Sequence, residues 1–207
     1  LANKIHPTVL GKKVELVVAD NKSDKAESAS VAARLIEKDK VVTLIGTYGS
    51  SLAMAAGNIV KEAKVPAIGT SCTNPQVTAN NDYYFRACFI DPFQGTVMAN
   101  YAFKNGARKV AIVQEVSNDY SVGLAKFFKE AFIKLTNDPD CIIDVANYQT
   151  GDKDFTAILT NLKAKNPDAV FAPGNFTESA LLIKQAHQLG INVPFMGGDT
   201  WETQEFI

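Results

Sequence analysis

The chain has 207 residues, enough for one large or two small domains, and its 46% hydrophobic and 21% charged residues are ordinary for a globular protein. Its net charge of −1 supplies no basic field that would attract nucleic acid. Its apolar runs all fall well short of the ~20 residues that a helix needs to span a bilayer.

Apolar runs and helical patterns alternate from the start of the chain. In order, the first part predicts a buried strand at 14–19, a helix at 25–38, a strand at 41–45, a helix at 52–63 capped by Ser50 or Ser51, a strand at 66–69, a short helix opened by Thr73-Asn74-Pro75, and a strand at 84–87. Each polar turn among these follows a strand and precedes a helix.

The second part continues the same alternation. It predicts a helix from Asp91 to about Lys104, ended by Asn105-Gly106, then strand 109–114, helix 120–135, strand 142–148, helix 154–165, strand 169–172, helix 178–189 and strand 194–196. Short strands that alternate with helices of this length predict βαβ units, and hence an α/β fold with parallel sheets.

Two turns rich in Ser and Thr, at 46–51 and 69–75, stand out because each follows a strand of the first part. In doubly wound sheets, ligands bind outside the carboxyl ends of the strands, and helix N-termini there attract anions. Each turn also has a simpler explanation, since a hydroxyl such as that of Ser50 can merely cap its own helix. The pair of turns favours a binding site for a small carboxylate. Its candidate contacts are Ser50, Ser51, Ser71, Cys72 and Thr73.

Three later loops occupy the same kind of position. Tyr120 opens a helix after the strand that ends at Gln114, and its ring could project into a cleft. Asn175 and Phe176 follow a strand and precede a helix, and Asp199 follows a Gly-Gly pair at the end of the last strand. Asp199 could receive an ammonium group, although a helix cap would explain it equally well.

Signals for catalysis or a cofactor are thin. Neither GxGxxG, GxxxxGK[ST] nor GxSxG occurs, so no phosphate cradle or nucleophile elbow is indicated. With two histidines and three scattered cysteines, the sequence argues against a zinc site and a disulfide framework. A single disulfide between Cys72 and Cys88 is an alternative that the sequence leaves undecided. We therefore predict a protein that is not an enzyme and needs no cofactor or metal.

The motifs in this order resemble the type I periplasmic binding proteins, in the branch that serves branched-chain amino acid ABC importers. The stretches that carry the resemblance are Gly11-Lys12-Lys13-Val14-Glu15-Leu16 with Asp20, the Ser50-Ser51 turn, residues 65–75, Phe85-Arg86, Asp119-Tyr120 with Gly123, residues 151–155, residues 167–171 and Gly197-Gly198-Asp199-Thr200-Trp201. The resemblance covers essentially the whole chain and implies two Rossmann-like lobes with the ligand held between them.

The resemblance also implies roles for individual residues. Ser50 and Thr73 would bind the ligand carboxylate, the Ser71 carbonyl and Asp199 would receive the ammonium group, and Tyr120 would lie over the ligand. Two positions depart from leucine-type binders, which have a longer Glu where Asp199 stands and an aromatic residue where Asn175 aligns. These departures put the identity of the ligand side chain in question.

Compared with that family, the chain is expected to be truncated at both ends. Residues 1–89 would form an incomplete first lobe without its first strand, and residues 90–207 a second lobe without its final strand and its return to the first. A hinge is expected near residues 87–90.

The predicted function is that of an extracytoplasmic receptor, with its signal peptide removed. It would bind an amino acid, most simply an aliphatic or branched-chain one, and deliver it to an ABC transporter permease without any nucleic acid partner. It would be periplasmic or extracellular, with or without a lipid anchor. The alternatives are the ligand-sensing domain of a regulator or receptor of the same fold, and a binder of a related small amide or carboxylate.

Overall fold

A computed structural model describes residues 2–204 and 206. Its α-helices are α1 (Ala2–Ile5), α2 (Lys25–Glu37), α3 (Ser50–Ala63), α4 (Asp91–Lys104), α5 (Asp119–Thr136), α6 (Thr156–Lys165) and α7 (Phe176–Gln188). Its strands are β1 (Thr8–Val9), β2 (Lys12–Lys13), β3 (Leu44–Ile45), β4 (Ala67–Gly69), β5 (Tyr84–Arg86), β6 (Val110–Glu115), β7 (Ile142–Tyr148), β8 (Ala169–Phe171) and β9 (Phe195–Met196). Short 3-10 helices cover Pro75–Val77 and Asp199–Trp201. The α/β class is therefore confirmed.

The first parallel sheet has the strand order β3-β4-β5. One face packs against α3, which lies beside α2, and the buried residues there are Ala53, Val60, Ala67, Cys72, Val77 and Tyr84. The other face presents Ile45, Ile68 and Phe85, which are neighbours in the strand register and remain 74%, 41% and 53% exposed. Alternation of side chains across a strand explains why one row is buried and the next exposed.

The second sheet is also parallel, with the order β7-β6-β8-β9, and buried clusters lie on both of its faces. Helices α4 and α5 cover one face, where the rings of Phe128 and Phe171 stack 4.0 Å apart, measured between centroids. Helices α6 and α7 cover the other face, where Tyr148 packs edge-on against Phe155. Burial on both faces matches the continuous apolar runs of β6 and β8.

The prediction of a buried strand at 14–19 is wrong. These residues form no strand, and Leu16 and Val18 are 67% and 88% exposed. Among the described residues, β3 is the outer strand of its sheet and pairs only with β4. Residues 14–19 therefore form no strand pairing with this sheet. An apolar run becomes a strand only where another strand takes its backbone hydrogen bonds.

Several boundaries also differ from the prediction. The short helix at 73–75 is a 3-10 turn over Pro75–Val77, capped by the Asn74 side chain, which accepts a hydrogen bond from the Gln76 N–H group. Helix α7 begins at Phe176 rather than at 178, and β3 keeps only two residues of the predicted 41–45. These shifts are of the size expected for element ends.

Residues 87–90 join the two sheets. They lead directly into α4, the first helix of the second part. The predicted division between lobes at 89/90 falls in this connection and stays a prediction. The Asp91 N–H group donates to the Thr73 carbonyl at 3.0 Å, so the start of α4 lies beside the turn that follows β4. None of the helices described here is both long enough and apolar enough to cross a membrane.

Candidate functional site

The turns after β3 and β4 meet through Ser50. Its Oγ accepts a hydrogen bond from the Asn74 N–H group at 3.1 Å, and its side chain is buried. Ser50 is the first residue of α3, and the N-cap position belongs to Gly49, which has no side chain and a φ of 86°. Ser50 is thus not the N-cap of its own helix, and its hydroxyl instead joins the two turns.

Thr73 and Ser71 complete the hydroxyl-bearing part of this region. Thr73 is 1% exposed, and no described residue forms a hydrogen bond with its Oγ1. Ser71 is partly buried and forms an isolated parallel bridge with Tyr48, which places the two turns side by side. An unpaired buried hydroxyl is uncommon in native proteins, where such groups find a partner in protein, water or ligand.

Two other candidates in these turns have side chains that are already engaged. Cys72 is fully buried, and its sulfur lies so close over Gly69 that a Cβ built there would be 2.0 Å away. Burial raises the pKa of its thiol to about 11. Ser51 Oγ donates to Asp119 Oδ2 at 2.7 Å and accepts from the Asp119 N–H group at 2.9 Å. The Cys72 side chain therefore belongs to the core, and the Ser51 hydroxyl to a contact with α5.

Cys72 and Cys88 are both free thiols in the structure. Burial raises the pKa of each thiol. At Cys88 the Arg86 charge opposes this shift, and the Asp199 and Asp91 carboxylates add to it. Among residues 2–204 and 206, no group of three His, Cys, Asp or Glu side chains could hold a metal ion.

Asp199 is held from two sides. The Tyr120 hydroxyl donates to its Oδ1 at 2.8 Å, and Gln94 Nε2 donates to the same oxygen at 3.0 Å. The Asp199 N–H group donates in turn to Gln94 Oε1 at 2.7 Å. Among the described residues, none donates to Oδ2, and Asp199 is partly exposed. The carboxylate therefore keeps one oxygen available for a cation.

The ring of Tyr120 is 4% exposed, and its hydroxyl donates to Asp199. That Tyr120 lies over the ligand stays a prediction. Burial and the negative charge of Asp199 raise the pKa of this phenol well above its ordinary value, so it stays a hydrogen-bond donor.

Asp91 lies between the turns and Asp199. It is fully buried, and Gln94 Nε2 approaches its Oδ1 at 3.5 Å while Oδ2 has no partner among the described residues. Burial raises the pKa of Asp91 to about 6; the neighbouring Thr73 hydroxyl opposes this shift, and the nearby charge of Asp199 adds to it. The nearest guanidinium, that of Arg86, donates to the carbonyls of Cys72 and Asn74 rather than to either acid.

The negative charge of Asp199 also affects the pKa of Tyr48, in the turn after β3. Burial raises the pKa of the Tyr48 phenol, and Asp199 contributes to the same shift. Tyr48 is the bridge partner of Ser71.

The turn after β4 is linked to Asp199 through Asp91, whose N–H group donates to the Thr73 carbonyl at 3.0 Å, and through Gln94, which contacts both acids. Of the predicted site residues, Tyr120 and Asp199 are in direct contact, whereas Ser50 contacts the turn that holds Thr73. A common ligand site for these residues stays a prediction.

Asn175 and Phe176 stand at the start of α7 and are partly buried. Asn175 Nδ2 donates to Glu115 Oε2 at 3.2 Å, and Asn118 Nδ2 donates to the same oxygen at 3.1 Å. Thr150 Oγ1 donates to Glu115 Oε1. Glu115 is fully buried at the end of β6. Its carboxylate accepts hydrogen bonds from the three loops that follow β6, β7 and β8.

Three polar residues of this region were missed by the sequence prediction: Asp91, Gln94 and Glu115. The sequence pattern marks Asp91 and Gln94 only as the start of a helix, although an acid and an amide three residues apart lie on the same side of a first helical turn. Glu115 follows the apolar run Val110-Ala111-Ile112-Val113 and Gln114 at the end of β6, and a single carboxylate at the end of such a strand is the available signal.

Comparison with known proteins adds an independent line of evidence. A family model described as "Periplasmic binding protein" matches residues 1–204. An amino acid binding protein of Pseudomonas aeruginosa is 32% identical over 200 residues, covering 94% of this chain and 52% of that protein. The chain thus spans about half the length of the curated relatives it matches.

Two solved structures are similar over nearly the whole chain. The leucine binding protein LivK of Thermotoga maritima has a TM-score of 0.93 and 42% identity, with 100% of this chain and 58% of that chain covered. The branched-chain amino acid transporter substrate binding protein LivJ of Streptococcus pneumoniae, solved with isoleucine, has a TM-score of 0.89 and 36% identity, with 99% and 57% covered.

Proposed function

The chain belongs to the periplasmic binding protein family, and on that premise we propose that it is the receptor part of an importer that captures an aliphatic α-amino acid. The ligand lies between two lobes, which are built on the two parallel sheets, and the lobes close about residues 87–90. The proteins reported above are binding proteins by name, and this chain is a binding protein and not an enzyme.

One observation carries the proposal. The Thr73 carbonyl accepts from the Asp91 N–H group at 3.0 Å, and Gln94 contacts both Asp91 and Asp199. The hydroxyl-bearing turn at Thr73 is therefore linked to Asp199, whose Oδ2 has no donor among the described residues. An α-amino acid is a zwitterion, with a carboxylate and an ammonium group on one carbon. A space with hydroxyls at one wall and a carboxylate at the other matches that pair of charges.

The carboxylate is held at the first wall. Helix α3 is 14 residues long and begins at Ser50, so its N-terminus adds a favourable field for an anion. The Thr73 hydroxyl, which is buried beside the Asp91 carboxylate, supplies a donor. The Ser71 hydroxyl completes this wall.

The ammonium group is held at the second wall by Asp199 Oδ2, with the Ser71 carbonyl as a further acceptor. Charge-assisted hydrogen bonds of this kind are about twice as strong as neutral ones. Asp91 adds a second negative charge to the region without any salt bridge of its own among the described residues, which favours a cationic group nearby. Asn175 and Phe176 belong to the wall that faces the ligand side chain.

We further propose that the protein works outside the cytoplasmic membrane and passes its ligand to an ABC transporter permease. The support is the name of the similar Streptococcus pneumoniae protein, a branched-chain amino acid transporter substrate binding protein. A lipid anchor would keep such a receptor at the membrane surface.

Calorimetric titration of the full-length protein with the twenty amino acids tests the proposal. We expect micromolar or tighter binding of at least one of leucine, isoleucine and valine, with a rise in melting temperature. Benzoate, acetamide and urea serve as controls that lack the zwitterion. Binding of a control compound with no response to any amino acid would overturn the proposal.

A further inference from the structure

Gln94 contacts Asp199 at two points, although the two residues are 105 positions apart in the chain. Its Oε1 accepts the Asp199 N–H group at 2.7 Å, and its Nε2 donates to Asp199 Oδ1 at 3.0 Å. The first contact determines the orientation of the amide, because a flipped amide would set its NH₂ group against the N–H group. Gln94 is 8% exposed, so packing restricts its rotamer.

From this geometry we propose that Gln94 is a positioning residue for ligand binding. It acts through Asp199 and directs Asp199 Oδ2 to the ammonium group of the ligand. The proposal rests on the function proposed above, because it assigns a role at the same site.

Both donors to the Asp199 side chain reach the same oxygen. Tyr120 and Gln94 together occupy Oδ1, at 2.8 and 3.0 Å, which leaves Oδ2 for the ligand. A carboxylate held through one oxygen cannot rotate about its Cβ–Cγ bond without losing both hydrogen bonds. Such a group binds a cation at a lower cost in conformational entropy.

Gly198 makes this close arrangement sterically feasible. A Cβ at Gly198 would lie 2.1 Å from the Tyr120 hydroxyl and 3.1 Å from Gln94 Oε1. A larger residue would therefore push one of the two donors away from Asp199. Gly198 thus serves close packing of the donors rather than a positive φ, since its φ is −113°.

An uncharged amide is the side chain that suits this position. Gln94 lies between Asp91 and Asp199, and its Nε2 also approaches Asp91 Oδ1 at 3.5 Å. A Lys or Arg would neutralise Asp199 and compete with the ligand, and a Glu would add a third negative charge. The amide satisfies the N–H group and Oδ1 and leaves the negative charge for the ammonium group.

A double-mutant cycle on leucine binding tests whether Gln94 acts through Asp199. The variants are Gln94→Met, which keeps the length of the side chain, Asp199→Ala, and the two combined in the full-length protein. We expect Gln94→Met to weaken leucine binding about tenfold and Asp199→Ala by more than about tenfold, since each removes a contact to a charged group. The combined variant should bind no more than about twofold more weakly than Asp199→Ala alone, because the two changes affect one interaction.

Gln114→Met is the matched control, because Gln114 also donates to a side chain, that of Asn147, at 2.9 Å but lies outside the site. It should leave leucine affinity unchanged. Unchanged affinity in Gln94→Met, or fold-losses that multiply in the combined variant, would overturn the positioning role. A wild-type protein that binds none of the amino acids would instead refute the proposed function itself, and with it this inference. Melting temperatures of all variants separate loss of fold from loss of binding.

Discussion

The carboxyl group of Asp91 shows what a single residue contributes to this site. It is fully buried at the first turn of α4, where the helix dipole favours a negative charge. Burial nevertheless dominates and raises the pKa of Asp91 to about 6 from the ordinary value of 3.8. A group whose folded pKa is raised in this way makes the folded state less stable once it ionises.

We therefore predict that Asp91→Asn removes the loss of folding stability that ionisation of Asp91 causes. The folded state binds this proton more tightly than the unfolded state, so the contribution of Asp91 to stability falls as pH rises from about 4 to about 6 and stays low above that. Near pH 7 the variant should be more stable than the wild type by up to about 3 kcal/mol, since a tenfold change in proton affinity is worth about 1.4 kcal/mol. Near pH 4 the two should converge. Urea unfolding across this range measures the difference.

Asp154→Asn is the control, because the pKa of Asp154 is shifted in the opposite direction to that of Asp91. Hydrogen bonds from Thr156 lower the pKa of Asp154, so its contribution is present at neutral pH and is lost only as pH falls below the ordinary range of an Asp. Its difference from the wild type should therefore stay constant between about pH 5 and pH 7. A similarly constant difference for Asp91→Asn would show that Asp91 carries no raised pKa.

Among the elements, α4 and α5 matter most to the site, because they carry Asp91, Gln94 and Tyr120 on their first turns. The two helices approach closely at Gly95, where a Cβ would lie 2.7 Å from the Phe128 nitrogen and 2.8 Å from Phe127 atoms. Backbone atoms cannot yield as a flexible side chain can. The crossing of α4 over α5 therefore requires a glycine at this position.

We predict that Gly95→Ala destabilises the protein by about 1–3 kcal/mol through overpacking, despite the better helix propensity of alanine. Gly57→Ala on α3 is the matched control, because among the described residues a Cβ there would come within 4 Å of Asn81 Nδ2 alone, at 3.5 Å. That variant should be as stable as the wild type or more stable by up to about 1 kcal/mol. Urea unfolding of both variants is the measurement, and equal effects of the two substitutions would contradict this account of the helix crossing.

At the scale of the whole molecule, Asp119 links the two sheets. Its Oδ2 accepts from Ser51 Oγ at 2.7 Å and from Lys25 Nζ at 3.0 Å, and its carbonyl accepts from Asn74 Nδ2 at 2.8 Å. Partial burial opposes ionisation, but hydrogen bonds from Ser51 and Lys25 and the charge of Lys25 outweigh it and lower the pKa of Asp119. Helices α2 and α3 are thus tied to the N-terminus of α5.

We predict that Asp119→Ala weakens amino acid binding about two- to fivefold by loosening this link, since a partly exposed ion pair contributes at most about 1 kcal/mol. Salt should weaken wild-type binding more than binding by the variant, because it screens the Lys25–Asp119 pair. Titration calorimetry at low and high salt measures both effects. Asp144→Ala is the control, because its pair with Lys165, at 2.8 Å, lies within the second part of the chain. Equal losses in the two variants would argue against a linking role.

The helices were predicted well because their signals are local. Apolar spacing, N-caps and breakers lie within one element, so α2, α4 and α5 follow the pattern to within a residue or so. The family was confirmed as well, because an ordered series of turns survives in the sequence alone. The strand at 14–19 failed because its formation depends on a neighbour rather than on its own residues.

The sequence by itself determined the α/β class, the alternation of elements and the position of the polar turns at strand ends. Only the tertiary structure decided which polar side chains meet. The contact of Gln94 with Asp199 and that of Ser51 with Asp119 join residues 105 and 68 positions apart, and Cys72 lies in the core although it stands in a polar turn. The physical reason is that propensity and burial patterns act over a few residues, whereas the partner of a polar side chain is set by how whole helices and sheets pack.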